Sequence, residues 1–258
     1  MNLKQKLEYH YKVFDRTKLE PDPLQFLHRF KDERDIEIIG LLASVFAYGN
    51  VKQIENSLEK LINVLGERPY LFVKNLNNEN RKEKISGIRH RFYTEDDVKK
   101  LLMILNKELT KHNSIRKIFL QGYNISDENV KTGISEFSNH FINSFIKTFG
   151  KITNGIKFMF PIPEKGSACK RMNLFLRWMV RKDELDFGLW NEIPASKLVI
   201  PVDTHIAKIC RYLKLTNRKI SGWKMAEEIT NNLKKFDPDD PVKYDFAVCH
   251  IGIRKLKF

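Results

Sequence analysis

Two charged residues, Lys170 and Asp203, have side-chain types and positions that suit covalent chemistry. A lysine amine is a nucleophile only when it is neutral, and its ordinary pKa is about 10.4. Lys170 falls in the first turn of a helix predicted over 168–181, where the positive helix end and the neighbouring Lys165 and Arg171 disfavour its charged form. These conditions suit a Schiff-base lysine, and a carboxylate opposite it would stabilise a developing cation or orient the amine.

Both residues also have an ordinary structural explanation. A lysine opposite the apolar stripe of a helix is usually a solvated surface residue. An aspartate directly before Thr-His-Ile is explained by capping of the next helix. The spacing alone therefore favours the structural explanation for both residues.

Two amphipathic helices must position this pair. Ser167 is predicted to cap the first helix, and Lys170, Arg177 and Arg181 share the side opposite its apolar stripe. The second helix begins at Asp203, and its predicted buried stripe consists of Ile206, Ile209, Cys210 and Leu213. Pro201 restricts the residue before it to an extended conformation, which helps to aim Asp203.

The pattern along the rest of the chain predicts about a dozen helices and no sustained alternating strand, which indicates an all-α fold. The stretch 34–48 is apolar almost all round and is expected to be buried. Asn50, Thr94 and Asp240 are the expected caps of the helices that follow them. The polar run 78–84 is expected to be a mobile surface loop, and the basic tail 254–258 is expected to be disordered.

The composition limits the classes of function. The 258 residues are 42% apolar and carry a net charge of +14, which favours binding to polyanions such as nucleic acids but also fits a lysine-rich proteome. Three cysteines without paired spacing predict no metal site and a reducing compartment. Neither a signal peptide nor a membrane span is expected, so the predicted location is the cytoplasm.

The residues around the pair resemble a superfamily of DNA repair enzymes. Val-Asp-Thr-His-Ile at 202–206, with Arg211 and Leu213 after it, resembles the aspartate motif of helix-hairpin-helix DNA glycosylases of the endonuclease III superfamily. Gly-Ser-Ala-Cys-Lys at 166–170 is similar to the end of their hairpin, where bifunctional members carry the catalytic lysine. The long lysine–aspartate gap is closer to that of archaeal 8-oxoguanine glycosylases than to that of endonuclease III. The whole chain resembles an uncharacterised bacterial family related to this superfamily, through the runs 40–50, 91–97, 166–181, 201–205 and 240–253.

This resemblance implies a two-lobed, all-α, helix-hairpin-helix glycosylase-like fold. The middle lobe would cover about 34–150, the second lobe 1–33 plus 151–258, and Lys170 and Asp203 would line a cleft between them. The four-cysteine iron–sulfur loop of endonuclease III is absent, and the reaction requires neither a metal nor another cofactor.

The implied activity is a DNA glycosylase with associated AP-lyase activity on a damaged base that is flipped out of the duplex. Lys170 would be the nucleophile and Asp203 the activating carboxylate. The hairpin would bind a phosphate, and the turn at Tyr48 would help to wedge the duplex open, although a plain helical turn explains that segment equally well. The implied DNA-binding residues are Lys165, Gly166, Ser167, Arg171, Arg177, Arg181, His205, Tyr48 and Asn50.

The expected partner is double-stranded DNA with a damaged or abasic nucleotide, bound by a monomer. The alternative is a non-catalytic DNA- or RNA-binding protein on the same scaffold, in which the lysine and the aspartate have only structural roles. A third reading is a protein-interaction scaffold whose positive charge reflects composition alone. The three tryptophans, Trp178, Trp190 and Trp223, suit either base stacking or packing.

Overall fold

The computed structural model describes residues 1–76 and 84–254, and the regular structure within these ranges is helical. The all-α prediction is confirmed, since the described residues contain two isolated β-bridges and no strand. The predicted loop 78–84 and the tail 254–258 lie almost entirely outside the described residues. The thirteen described α-helices are α1 (Leu3–Val13), α2 (Leu24–Leu27), α3 (Glu33–Phe46), α4 (Val51–Leu65), α5 (Pro69–Lys74), α6 (Glu95–His112), α7 (Ile115–Gly122), α8 (Lys131–Phe149), α9 (Asn154–Met159), α10 (Lys170–Val180), α11 (Thr204–Tyr212), α12 (Trp223–Leu233) and α13 (Asp245–Ile253).

The described chain forms two compact units. Unit 1 comprises Met1–Leu19, Ile125–Thr132 and the chain from Ile162 onward, and unit 2 comprises Glu20–Asn124 and Gly133–Pro161. Three short 3₁₀ turns, Arg16–Lys18, Pro163–Lys165 and Ala195–Lys197, belong to unit 1. Among the helices of the described ranges, none has the length and apolar character needed to cross a bilayer.

Unit 2 is organised around α3, which is buried from Asp35 to Phe46 as its apolar sequence predicts. Its two buried carboxylates accept backbone N–H groups at the starts of other helices. Asp35 accepts from Tyr70 of α5, and Glu37 accepts from Ile115 at the start of α7. Because a helix start leaves donors without intrahelical partners, these bonds fix α5 and α7 against α3.

Two predicted caps of unit 2 have different outcomes. Thr94 forms a reciprocal capping box with Asp97 at the start of α6, so that prediction is confirmed. Asn50 occupies the residue before α4, but its side chain makes no capping hydrogen bond. The break between α3 and α4 is explained by Gly49, whose φ of 100° lies in the range that favours glycine.

Unit 1 is organised around α10, which is buried along most of its length. The predicted helix start at residue 168 is wrong by two residues, because Cys169 has left-handed backbone geometry (φ 48°) and α10 begins at Lys170. The prediction that Ser167 caps this helix is wrong, because Cys169 is the N-cap and its side chain makes no capping hydrogen bond; the Ser167 hydroxyl accepts the Cys169 N–H at 3.1 Å in the turn before the helix. Trp178, Trp190 and Trp223 are buried within this unit, so they pack in its core.

The prediction that Asp240 caps the last helix is wrong. The helix begins only at Asp245, and the residues between them form turns. The Asp240 carboxylate instead accepts from Arg181 Nε at 2.8 Å. A buried guanidinium is a stronger partner for a carboxylate than a backbone amide is, which explains the change.

Candidate functional site

The approach to α10 is a tight turn that aims the start of this helix. After the 3₁₀ turn Pro163–Lys165, Gly166 takes left-handed geometry (φ 83°), and its N–H donates to Pro163 O at 2.8 Å. Gly166 O accepts the Trp223 N–H at 3.3 Å at the start of α12. A Cβ on Gly222 would lie 2.7 Å from Gly166 O, so this close approach requires glycine.

Lys170 and Asp203 are neighbours in unit 1. Lys170 Nζ lies 3.8 Å from Asp203 Oδ2, and the two side chains are 28% and 25% exposed. Both residues begin a helix, because Lys170 is the first residue of α10 and Asp203 is the N-cap of α11. Two helix starts therefore meet at one accessible amine–carboxylate pair, which we call the Lys170–Asp203 pair.

The two oxygens of Asp203 have different partners. Oδ1 accepts the N–H groups of His205 at 2.9 Å and Ile206 at 3.0 Å, which confirms the predicted cap. Oδ2 faces the Lys170 amine. The cap thus fixes the carboxylate in one orientation and leaves its second oxygen directed at the lysine.

A buried salt bridge lies close behind the pair. Asp245, at the start of α13, accepts from Arg177 Nη1 of α10 at 2.5 Å. Burial raises the pKa of Asp245 to about 6, although Arg177 opposes the rise, and the negative charge of Asp203 adds to it. Asp245 therefore senses the charge of the Lys170–Asp203 pair electrostatically.

Arg177 and Arg181 are buried inside unit 1, which differs from their expected role as accessible DNA contacts. Arg181 pairs with Asp186, with Asp183 Oδ2 at 2.8 Å and with Asp240 Oδ1 at 2.8 Å. Their partners lie outside α10, just after it at Asp183 and Asp186 and far along the chain at Asp240 and Asp245, so a helical wheel of α10 alone assigns both arginines to a solvated face. We call the set the arginine–aspartate cluster; its members are Arg177, Arg181, Asp183, Asp186, Asp240 and Asp245.

The other predicted DNA contacts of unit 1 differ in their exposure to solvent. Lys165, Gly166 and His205 are exposed, and Ser167 is half-buried. Arg171 is buried, unlike the surface cation expected there. A concave groove of about 500 Å³ adjoins the turn, and its lining includes the cations Lys131, Arg218, Lys219 and Lys224 together with Ile220 and Trp223.

Tyr48 and Asn50 belong to unit 2, where Tyr48 is part of an aromatic group. The ring of Tyr48 lies 6.1 Å from that of Phe92, nearly parallel to it, and 4.8 Å from that of Phe158. Arg91 lies over the rings of Tyr48 and Phe92, with its guanidinium carbon 5.4 Å from each centroid. Phe92 is 62% exposed, which is unusual for so large an apolar side chain.

Sequence reasoning missed Arg91, Phe92 and Phe158 as candidate binding residues. Phe92 and Arg91 lie in the run 91–97, which carried part of the family resemblance, so a signal was present. Phe158 joins them only through the fold, because it comes from α9.

Comparison with models of protein families assigns the chain to one family. A model of the family described as "Protein of unknown function (DUF2400)" matches residues 22–254, which is most of the chain. The chain is a member of the DUF2400 family. No curated protein and no solved structure gives a significant match. The function of this DUF2400 protein must therefore be argued from the geometry of its own residues.

Proposed function

We propose that this DUF2400 protein is a DNA glycosylase with associated AP-lyase activity on a damaged base, related to the helix-hairpin-helix glycosylases. The observation that carries the proposal is the Lys170–Asp203 pair, in which an amine and a carboxylate 33 residues apart in sequence lie 3.8 Å apart and are both accessible. Simple capping explains Asp203 Oδ1, but it does not require a lysine opposite Oδ2.

The chemistry uses the two side chains in sequence. Asp203 Oδ2 stabilises the positive charge that develops on the deoxyribose as the bond to the base breaks, and the base leaves with the bonding electron pair. Lys170 gives up its ammonium proton to the departing base, its free amine attacks the anomeric carbon, and ring opening with loss of a second proton from nitrogen gives a Schiff base. Removal of a proton from the adjacent sugar carbon then expels the 3′ phosphate and cleaves the strand.

Binding of the DNA backbone is assigned to the exposed part of the turn before α10. Lys165 and Gly166 are exposed there, at the N-terminal end of an eleven-residue helix, where the helix dipole favours a phosphate. The basic groove beside the turn extends this positively charged surface. In unit 2, the exposed ring of Phe92 with Tyr48 and Arg91 offers an aromatic surface for base stacking.

A second function, non-catalytic binding of DNA or RNA, is favoured by the same Asp203 geometry. Asp203 already accepts two backbone N–H groups, so its presence has a structural reason. In that case Lys170 would serve only as a partially exposed ion-pair partner. The positively charged groove and the aromatic group would remain the binding surfaces.

Borohydride trapping distinguishes the two functions. Wild-type protein is incubated with duplexes that carry an abasic site, 8-oxoguanine, uracil or an oxidised pyrimidine, and borohydride reduces any Schiff base to a stable adduct. We expect an adduct with wild type, none with Lys170→Gln, and at least a hundredfold slower base release with Asp203→Asn. Lys12→Gln, which removes an exposed lysine of α1 and the same unit of charge, is the matched control and should trap normally.

The outcomes separate the two functions. If no lesion gives an adduct and Lys170→Gln still binds DNA in a salt-dependent way, the enzymatic function is wrong and non-catalytic binding is the function. An adduct that persists in Lys170→Gln would move the nucleophile to another amine. If the protein neither forms an adduct nor binds nucleic acid, a protein-interaction scaffold is the remaining function.

A further inference from the structure

Unit 2 contains a compact group of two histidines and one glutamate that the proposed function does not use. Glu108 and His112 lie one turn apart on the same face of α6, and His140 comes from α8. Glu108 Oε2 lies 2.8 Å from His140 Nε2 and 3.6 Å from His112 Nε2. One donor atom from each residue lies within 4.8 Å of the other two, and we call the three residues the Glu108 cluster.

One atom of the cluster lacks a hydrogen bond. His112 Nε2 is buried and has no hydrogen-bond partner among the described residues, since 3.6 Å to Glu108 is too long for one. The His112 side chain is only 10% exposed, so solvent does not readily satisfy this atom. Buried polar atoms are nearly always partnered, and the nearest cluster atom that the structure places by this nitrogen is Glu108 Oε2.

The residues around the cluster orient its donors. Ser144 of α8 donates its hydroxyl to Glu108 Oε1 at 2.6 Å, which leaves Oε2 toward the histidines. The Gln121 side-chain amide nitrogen lies 3.1 Å from His112 Nδ1 and donates to it. To bind an ion through Nε2, the His112 ring must carry its proton on Nδ1, which requires the Gln121 amide to turn so that its oxygen accepts that proton.

We propose that Glu108, His112 and His140 bind a divalent transition-metal ion of the zinc class. Two imidazole nitrogens and one carboxylate oxygen are the donor set that zinc accepts, whereas calcium and magnesium require oxygen donors. Three protein ligands leave a fourth position for water. His140 is the most exposed of the three side chains, at 27%, so the water position would face solvent on the side of His140.

Two of the three donor separations are close to what a tetrahedral ion needs. Zinc bonds to nitrogen and oxygen of about 2.0–2.2 Å place tetrahedral donors about 3.3–3.6 Å apart. The separation of 3.6 Å between His112 and Glu108 already matches this value. The 2.8 Å pair of His140 and Glu108 must open by about half an ångström, and the metal then replaces the proton between them.

The consequence for the protein is a link between two helices of unit 2. A bound ion would join α6 to α8 and stabilise the folded state, because the unfolded chain does not hold the three ligands together. This inference does not rest on the proposed lyase activity, whose residues belong to unit 1.

The test is a metal titration of full-length protein without a histidine tag, after removal of metals by a chelator. We expect Co²⁺ to give the visible absorption bands of a four-coordinate site at one equivalent, and Zn²⁺ to displace it and raise the thermal midpoint. His112→Gln and His140→Gln should each weaken Zn²⁺ binding at least a hundredfold. His28→Gln, which removes another histidine of unit 2, is the matched control and should bind as wild type does.

Two results would overturn the proposal. One is a wild-type protein without Co²⁺ bands or stoichiometric Zn²⁺ binding, because the cluster is then only a hydrogen-bonded group. The other is undiminished binding in folded His112→Gln and His140→Gln, since the metal then lies elsewhere. Should a variant fail to fold, NMR of the imidazole nitrogens in the wild type decides, because Zn²⁺ must shift the Nε2 signals of His112 and His140.

Discussion

In unit 1, two buried guanidinium groups face four carboxylates, whereas in unit 2 one buried carboxylate faces two imidazoles. The arginines of unit 1 stay charged at every accessible pH. Imidazole has an ordinary pKa near neutrality, and burial lowers the pKa of His112 in unit 2. The first arrangement therefore keeps its cations charged while carboxylates such as Asp245 titrate, whereas the second contains cations that can lose their charge.

This difference explains what each group can contribute. The arginine–aspartate cluster joins α10 to α13 through Arg177 and Asp245, so it holds the helix whose first residue is Lys170. A fixed network suits a site that needs a rigid nucleophile. The Glu108 cluster joins α6 to α8, and its strength depends on the ionisation of Glu108.

The largest expected effect comes from removing a cation of unit 1. Arg181→Met leaves the fully buried Asp186 with Arg177 as its one remaining guanidinium partner and removes the cation that pairs with Asp183 and Asp240, so we expect the free energy of unfolding to fall by about 3–5 kcal/mol. Asp186→Asn should have a smaller effect, because carboxylates already outnumber guanidinium groups in this cluster. Urea unfolding followed by tryptophan fluorescence measures both, since all three tryptophans lie in unit 1. Equal losses for the two variants would show that charge balance is not the deciding factor.

The two clusters should respond oppositely to pH. The pKa of Glu108 falls from 4.5 to about 2 on folding, so its contribution is present above about pH 4.5 and is lost as the pH falls toward 2. The pKa of Asp245 rises from 3.8 to about 6, so the folded state binds more protons and stability declines as the pH rises from about 4 to 6. Shifts of this size correspond to about 3 kcal/mol each.

Urea unfolding at a series of pH values measures how the free energy of unfolding changes with pH in these two ranges. Glu108→Gln should remove the loss of stability that occurs as the pH falls below about 4.5, and circular dichroism detects this unfolding. Asp245→Asn should flatten the decline between pH 4 and 6 in tryptophan fluorescence. A slope that survives its own substitution would assign the titration to a different group.

Substitutions of Asp203 separate its structural role from its chemical role. Asp203→Ala removes the cap of α11 and should lower the free energy of unfolding by about 1 kcal/mol, whereas Asp203→Asn keeps a capping side chain and should change it by only a few tenths. Both variants lack the charge that faces Lys170 and should release bases slowly. Full glycosylase activity in stable Asp203→Asn would limit this residue to its role as a cap.

The smallest effect is expected for an exposed ion pair of unit 2. Arg29 and Glu59 form a two-bonded pair, with nitrogen–oxygen distances of 2.6 and 2.9 Å, but both side chains are largely exposed. Glu59→Gln should change the free energy of unfolding by about 0.5 kcal/mol or less, because water screens such pairs. Thermal unfolding at low and high salt measures the change. A loss above about 1 kcal/mol would contradict the contrast between buried and exposed charges.

The local part of the fold could be predicted from the sequence. The buried helix α3, the capping box at Thr94 and the cap at Asp203 all depend on residues within a few positions of each other. The same holds for the two helix starts that carry Lys170 and Asp203, although the start of α10 was displaced by the left-handed Cys169. Periodicity and capping are short-range properties, so the sequence shows them directly.

Long-range partners could not be predicted in this way. Arg177 is 68 residues from Asp245, and Glu108 is 32 residues from His140, so no local pattern signals either contact. The aromatic group at Tyr48 likewise depends on Phe158 of a distant helix.

The sequence by itself thus determined that this chain is helical, that α3 is buried and that an aspartate begins α11. Only the tertiary structure decided which cations are accessible and which are neutralised inside the protein. It brought Asp203 Oδ2 to Lys170, buried Arg177 and Arg181 among carboxylates, and assembled the Glu108 cluster from two helices. The physical reason is that burying a charge is unfavourable without a partner, and the partners are supplied by packing between distant segments.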